Sequence, residues 1–168
     1  MRKNLFFILC FVSFTASLNG NNPFETFHHL TSRDGLSHNS IKCILKDSEG
    51  FMWFGTNDGL NRYDGYGYTC FKPTTDPYSI NHNTINCIAE DRNGNLWIGS
   101  ENGLHEYIYT TGDFKNYIIR DESSVGNNPV KDILEDKEGM LWISTGSFNF
   151  YKFNPLFSLF QIVVFISL

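Results

Sequence analysis

The chain repeats itself. Three segments, 39–64, 83–108 and 128–154, lie in phase, and Trp53, Trp97 and Trp142 recur at steps of 44 and 45 residues. Asp47, Asp91 and Asp136 recur at the same steps, as do Gly50, Gly94 and Gly139. A period of this length describes a supersecondary unit that cannot bury its apolar face alone and must stack on its neighbours. Any fold proposed for this sequence therefore has to be a row or ring of like units.

Within each unit the punctuation is that of strands. Residues 41–46 and 85–90 are short runs rich in β-branched side chains that end in Asp-x-x-Gly. There the Asp carboxylate can accept from turn amides, and the Gly supplies the left-handed residue that closes a hairpin. Residues 51–56 and 96–100 form second strands carrying the tryptophan, Asp58-Gly59 and Asn102-Gly103 are further turns, and 60–64 and 104–109 follow as third strands. Outer strands are readable at 68–72 and 113–118. Four short antiparallel strands per period is the arithmetic of a propeller blade. Helix-pair solenoids have similar periods, but Gly and Asn interrupt every would-be helix. The expected fold class is all-β, a partial β-propeller of about three four-stranded antiparallel blades forming an incomplete arc, with repeats at about 39–82, 83–127 and 128–155. The third copy departs from the first two. One residue is inserted after Trp142, placing Asn149 and Phe150 where Gly59 and Leu60 stand, and Ser144 replaces Gly55 and Gly99.

Both ends read differently from the repeats. Arg2 and Lys3 precede an uncharged run over 5–16, then small and polar residues near Ser17 and Gly20, the pattern of a secretory signal peptide over 1–20. The run is too short for a spanning helix. Residues 156–168 form an uncharged apolar tail, expected to lie outside the fold. The working part, 21–155, keeps all 18 Asp+Glu of the chain but not Arg2 and Lys3, so it is markedly acidic. That balance argues against a nucleic-acid partner, which needs a basic stripe. Export implies an oxidising compartment, yet Cys43, Cys70 and Cys87 are odd in number, and Cys43 and Cys87 occupy equivalent repeat positions. We expect no obligatory disulfide.

The pattern Asn-[Ser/Thr/Pro]-[Ile/Val]-x-x-Ile-x-x-Asp-x-x-Gly-x-x-Trp-[Phe/Ile]-[Gly/Ser]-[Thr/Ser]-x-x-Gly-Leu resembles the two-component regulator propeller repeat, and the lead-in over 27–40 resembles the start of such proteins. The resemblance covers about residues 24 to 155. It implies the N-terminal part of an extracytoplasmic, periplasmic sensor propeller of a hybrid histidine kinase whose full-length form is anchored in the inner membrane. It implies an oligosaccharide-derived ligand, no cofactor, and no catalysis by this part. Because propellers close with typically 4 to 8 blades, a three-blade arc leaves edges exposed. The chain is therefore expected to be a fragment whose partners are remaining blades or a dimer mate.

Repetition also assigns roles. A residue found once in every blade serves architecture before it serves a single ligand site, so Trp53, Trp97 and Trp142 are expected to pack between blades. Asp47, Asp91 and Asp136 sit in separate turns, too dispersed to act as the paired carboxylates that must converge in a glycosidase. Asn39, Asn83 and Asn128, with His38 and His82 beside the first two, precede the innermost strands and are the candidate ligand-facing residues at one channel mouth. The histidines show no metal-ligand spacing, and no nucleophile triad, phosphate loop or kinase signature is readable, so no catalytic, cofactor or metal residue is assigned. Two other readings stay open at this stage: a secreted propeller enzyme acting on polysaccharide, and an envelope protein-interaction module.

Overall fold

A computed structural model describes residues 30–119, 128–146 and 149–163. Those residues form three four-stranded antiparallel meanders. Blade 1 comprises β1 (Ile41–Lys46), β2 (Met52–Thr56), β3 (Gly59–Tyr63) and β4 (Tyr68–Phe71). Blade 2 comprises β5 (Ile85–Glu90), β6 (Leu96–Ser100), β7 (Gly103–Ile108) and β8 (Asp113–Tyr117). Blade 3 comprises β9 (Val130–Glu135), β10 (Leu141–Thr145), β11 (Phe150–Asn154) and β12 (Leu159–Val163). The blades meet through β1 against β5 and β5 against β9, which makes the first strand of each blade the innermost. Among the described residues no helix is long and apolar enough to cross a membrane. The signal-peptide assignment over 1–20 falls outside the described residues.

Burial along the second strands is denser in β2 and β6 than in β10, the lead-in residue Ser37 bonding to Asn61 and Thr56 of blade 1. In β6 every residue is buried, because blade 2 is sandwiched between two neighbours and both faces of its sheet are covered. In β10 burial alternates, as expected of a sheet with one covered face. The apolar core is accordingly two interblade layers. One joins Trp53 and Leu60 to Ile85, Leu96, Ile98, Tyr107 and Phe114. The other joins Trp97, Leu104 and Tyr117 to Val130, Ile143, Tyr151 and Phe153. Trp53 meets Tyr107 edge-on at 4.9 Å, and Trp97 meets Phe153 at 5.5 Å, the arrangement the ring quadrupoles favour.

The repeated aspartate does two things at once. Its Oδ1 accepts turn amides, from Phe51 at 2.8 Å in blade 1, from Asn93 and Asn95 at 2.9 Å in blade 2, and from Glu138 and Met140 at 3.0 and 2.9 Å in blade 3. Its Oδ2 accepts the indole N–H six residues on, in the pairs Trp53–Asp47 at 2.7 Å, Trp97–Asp91 at 3.0 Å and Trp142–Asp136 at 2.8 Å. A buried indole needs such an acceptor, so the Asp–Trp spacing follows from the length of the hairpin. Gly50, Gly94 and Gly139 close these turns at φ +96°, +82° and +80°, where a side chain would be strained.

The apolar tail differs from expectation. Instead of lying outside the fold, its first half completes blade 3: β12 pairs with β11 in register from Asn154↔Leu159 to Phe150↔Val163. Asn154 Oδ1 accepts from the amides of Leu156 and Phe157 to make the turn, and Phe160 packs on Phe153 at 4.4 Å between ring centroids. Lack of charge marked a change in composition, but strand pairing is made by the backbone, and the single ring of Phe160 seated on Phe153 holds the strand down.

Candidate ligand-facing mouth of the arc

One end of the arc is formed by the segments entering β1, β5 and β9 together with the β2–β3, β6–β7 and β10–β11 connections. Each inner strand carries a register shift near its start, at Lys42, Asn86 and Lys131. A bulge re-aims the extra side chain, and these three point around the rim. Lys42 Nζ donates to Asn86 Oδ1 at 2.9 Å. Asn86 Nδ2 donates to the Val130 carbonyl at 2.9 Å and to Glu101 Oε1 at 3.0 Å, and Lys131 Nζ reaches the same Glu101 oxygen at 2.6 Å. The Lys131 and Asn86 hydrogen bonds outweigh burial and hold the Glu101 carboxyl below its usual range. The result is a belt of ammonium, amide and carboxylate groups crossing both blade joints.

The candidate residues flank this belt unequally. Exposed His38 uses Nδ1 to accept the Ser40 amide at 2.9 Å, and His82 does the same with Thr84 at 3.0 Å, so both rings cap the turn entering a strand. Asn39 Oδ1 accepts from the Ser32 amide at 2.7 Å. Asn83 presents its side chain to solvent while its carbonyl accepts the Gly59 amide of blade 1 at 2.7 Å. Asn128 is a correction: at 3% exposure it faces inward, with Nδ2 directed at Tyr151 Oη at 3.4 Å, and it cannot meet a ligand from solvent. A following proline and the core residue Val130 draw this segment into the blade 2–blade 3 layer. The belt residues Lys42, Asn86, Glu101 and Lys131 were not singled out from sequence. The signal that could have found them is their own period: positions 42, 86 and 131 are equivalent and consistently polar amid apolar strand residues.

A buried relay also emerged that separated positions had hidden. Asn116 donates through Nδ2 to the Ser79 carbonyl at 2.9 Å, which leaves its Oδ1 to accept from His105 Nδ1 at 2.7 Å. His105 Nε2 then accepts from Ser100 Oγ at 2.7 Å. The order hydroxyl, imidazole, amide is that of a nucleophile, base and orienter, but Ser100 and His105 are both 0% exposed. Burial pushes the ring down to about 4. With no access for substrate, this relay fastens β6, β7 and β8 together. Among the described residues no cluster of His, Cys, Asp or Glu is arranged to hold a metal ion. Trp53 and Trp97 are sealed between blades and offer no stacking surface to a sugar.

Comparison with known proteins agrees with this geometry. Residues 35–58, 79–102 and 124–147 match the family described as two component regulator propeller. The extracellular domain of a hybrid two component system of B. thetaiotaomicron, BT3049, is 28% identical with a TM-score of 0.71, over 80% of this chain and 19% of its own. That of a second such system, BT4673, is 26% identical with a TM-score of 0.64, over 73% of this chain and 16% of its own. Histidine kinase P4 of Formosa agariphila is 37% identical over 68 residues, 40% of this chain and 5% of that protein. The chain thus spans less than a fifth of each of these relatives.

Proposed function

We infer that this chain, whose three blades are two component regulator propeller repeats, contributes to the extracytoplasmic ligand-sensing propeller of a two-component, hybrid histidine kinase signalling protein. The observation that carries the reading is the family match falling in phase on all three blades, supported by the likeness to extracellular domains of hybrid two component systems. The ligand is an oligosaccharide-derived molecule. It is met at the mouth, where Lys42, Asn86, Glu101 and Lys131 offer donors and an acceptor held in fixed geometry, the kind of array that recognises hydroxyls without a preformed deep pocket. The propeller binds and does no chemistry. It sits in the periplasm, and the signal passes through a membrane anchor to a cytoplasmic kinase in the longer protein.

Titration calorimetry of the full chain against a panel of neutral and acidic oligosaccharides tests this. One class should give saturable heat, weakened about tenfold (about 1.4 kcal/mol) by Asn86→Ala, with no new reducing ends formed over the same period. Absence of heat from every member while circular dichroism reports folded β structure would refute ligand sensing by these blades. Release of reducing ends would favour the enzyme reading instead.

A further inference from the structure

At the end of the arc opposite the mouth, where the Asp-x-x-Gly turns lie, the two joints are built differently. Between blades 1 and 2, Arg62 lies over the Phe51 ring at 4.6 Å and donates through Nη1 to Tyr107 Oη at 3.0 Å. Tyr109 Oη crosses the same joint to Asp47 Oδ2 at 2.7 Å. Between blades 2 and 3 each of these bridging groups is exchanged. Ladder register puts Glu106 where Arg62 stands, each opposite its blade's tryptophan. By the same count Asn95 replaces Phe51, Phe153 replaces Tyr107 and Pro155 replaces Tyr109. A carboxylate, a phenyl ring and a proline cannot remake those donations, and a cavity of about 270 Å³ remains, lined by Arg92, Asn95, Glu106, Glu138, Asn154 and Pro155 among others.

The polar groups of this cavity are only half engaged by the protein. Tyr117 Oη donates to Glu106 Oε2 at 2.8 Å, which leaves Oε1 as an acceptor. Lys115, opposite Glu106 in the β7–β8 ladder, turns to the Tyr117 ring at 4.8 Å. Asn95 donates through Nδ2 to Asp91 at 2.9 Å and keeps its Oδ1, whereas Asn154 accepts through Oδ1 from the Leu156 and Phe157 amides and keeps its Nδ2. The Arg92 guanidinium on the wall is taken up by Glu135 at 2.6 Å and the Lys137 carbonyl at 2.8 Å, so Glu106 and the exposed Glu138 make the cavity electronegative. A carboxylate oxygen beside one amide acceptor and one amide donor matches an ammonium group with hydroxyls next to it. The volume falls just below the roughly 300 Å³ at which drug-sized sites begin, which suits a single small ring. We propose that the cavity at the blade 2–blade 3 joint binds a small hydroxylated amine of one-ring size, with its ammonium on Glu106 and its hydroxyls on Asn95 and Asn154. The site is separate from the mouth and does not depend on what the mouth binds.

Titration calorimetry of the full chain with glucosamine, and with glucose as the matched neutral probe, tests this at about pH 6.5, where amine and carboxylates are both charged. The wild-type chain should take up one glucosamine and bind glucose at least about tenfold more weakly. Glu106→Gln keeps an acceptor for Tyr117 but removes the charge, and should bring glucosamine down to the glucose level. Asn95→Phe restores the ring that blade 1 carries at Phe51, and should abolish binding of both probes while circular dichroism still reports the wild-type β structure. The proposal is overturned if the wild-type chain gives no saturable heat with glucosamine, if glucose binds as tightly, or if glucosamine binding survives either substitution.

Discussion

Gly99 is the position where a single methyl group should do most damage for a reason the structure states in distances. Gly99 lies opposite Cys87 in the β5–β6 ladder, and its missing side chain points at blade 3. An added Cβ would stand 2.4 Å from Cys87 Sγ, 2.5 Å from Val130 Cγ1 and 3.1 Å from Val130 Cβ. Each neighbour is buried and belongs to the blade 2–blade 3 core, so none can step aside cheaply. The backbone there is ordinary extended strand. Gly99→Ala therefore carries no conformational strain, and it gains about 0.4–1 kcal/mol from a stiffer unfolded chain. Overpacking a well-filled core costs about 1–3 kcal/mol. Since two contacts fall below any real Cβ approach, the upper part of that range applies and the net loss should be about 2 kcal/mol. For a chain of this size that is a fall in Tm of about 4–8 °C. Urea unfolding followed by tryptophan emission measures it, because Trp97 sits in the same layer. The decisive control is the same substitution made in a C87A/V130A background, which removes the two nearest atoms, Cys87 Sγ and Val130 Cγ1, and leaves only Val130 Cβ at 3.1 Å. The cost should then shrink below about 0.5 kcal/mol, a coupling within the range for residues in contact. If Gly99→Ala is neutral, or costs the same in both backgrounds, the close approach of blades 2 and 3 described here is wrong.

Two further outcomes follow from buried titratable groups. Burial holds His105 neutral down to about 4, while the unfolded chain takes up a proton near the ordinary 6.5. The unfolded state alone binds that proton between these values, so the His105 contribution is intact above about pH 6.5 and falls as pH drops toward 4, by about 3 kcal/mol in all. Urea midpoints at pH 7.5 and 4.5 should converge in His105→Asn relative to wild type, Asn being the residue at the equivalent position 61 of blade 1; identical pH dependence in the two proteins would contradict the buried neutral ring. Burial also pushes the Cys43 thiol up to about 11 and the Cys87 thiol higher still, whereas Cys70 is exposed. Since the thiolate is the reactive form, iodoacetamide and mass spectrometry should find Cys70 labelled in the native chain and Cys43 and Cys87 labelled only in urea, and prompt native labelling of Cys87 would count against the inner-strand packing.

What the sequence determined by itself was whatever depends on neighbours close along the chain. Strand bounds at 41–46 and 85–90, the Asp-x-x-Gly turns and the period of 44 to 45 residues are all carried by local turn chemistry and by alternation of apolar side chains, so they could be read directly and agree with the structure. The family resemblance rested on the same local signals, and the three matched segments follow them. The tail shows the limit of composition as a guide, since residues 159–163 form a strand through backbone pairing that no charge count registers.

Only the tertiary structure decided what depends on the approach of one blade to the next. It turned Asn128 inward, aimed Lys42, Asn86 and Lys131 around the rim by in-phase bulges, and closed the Ser100–His105–Asn116 relay across three strands. It also distinguished three tryptophans that look alike in the sequence, sealing Trp53 and Trp97 and leaving Trp142 on an open face. The physical reason is that burial in a stacked fold is a property of the joint between units. A residue copied faithfully in every repeat acquires a different environment according to whether another blade lies beyond it.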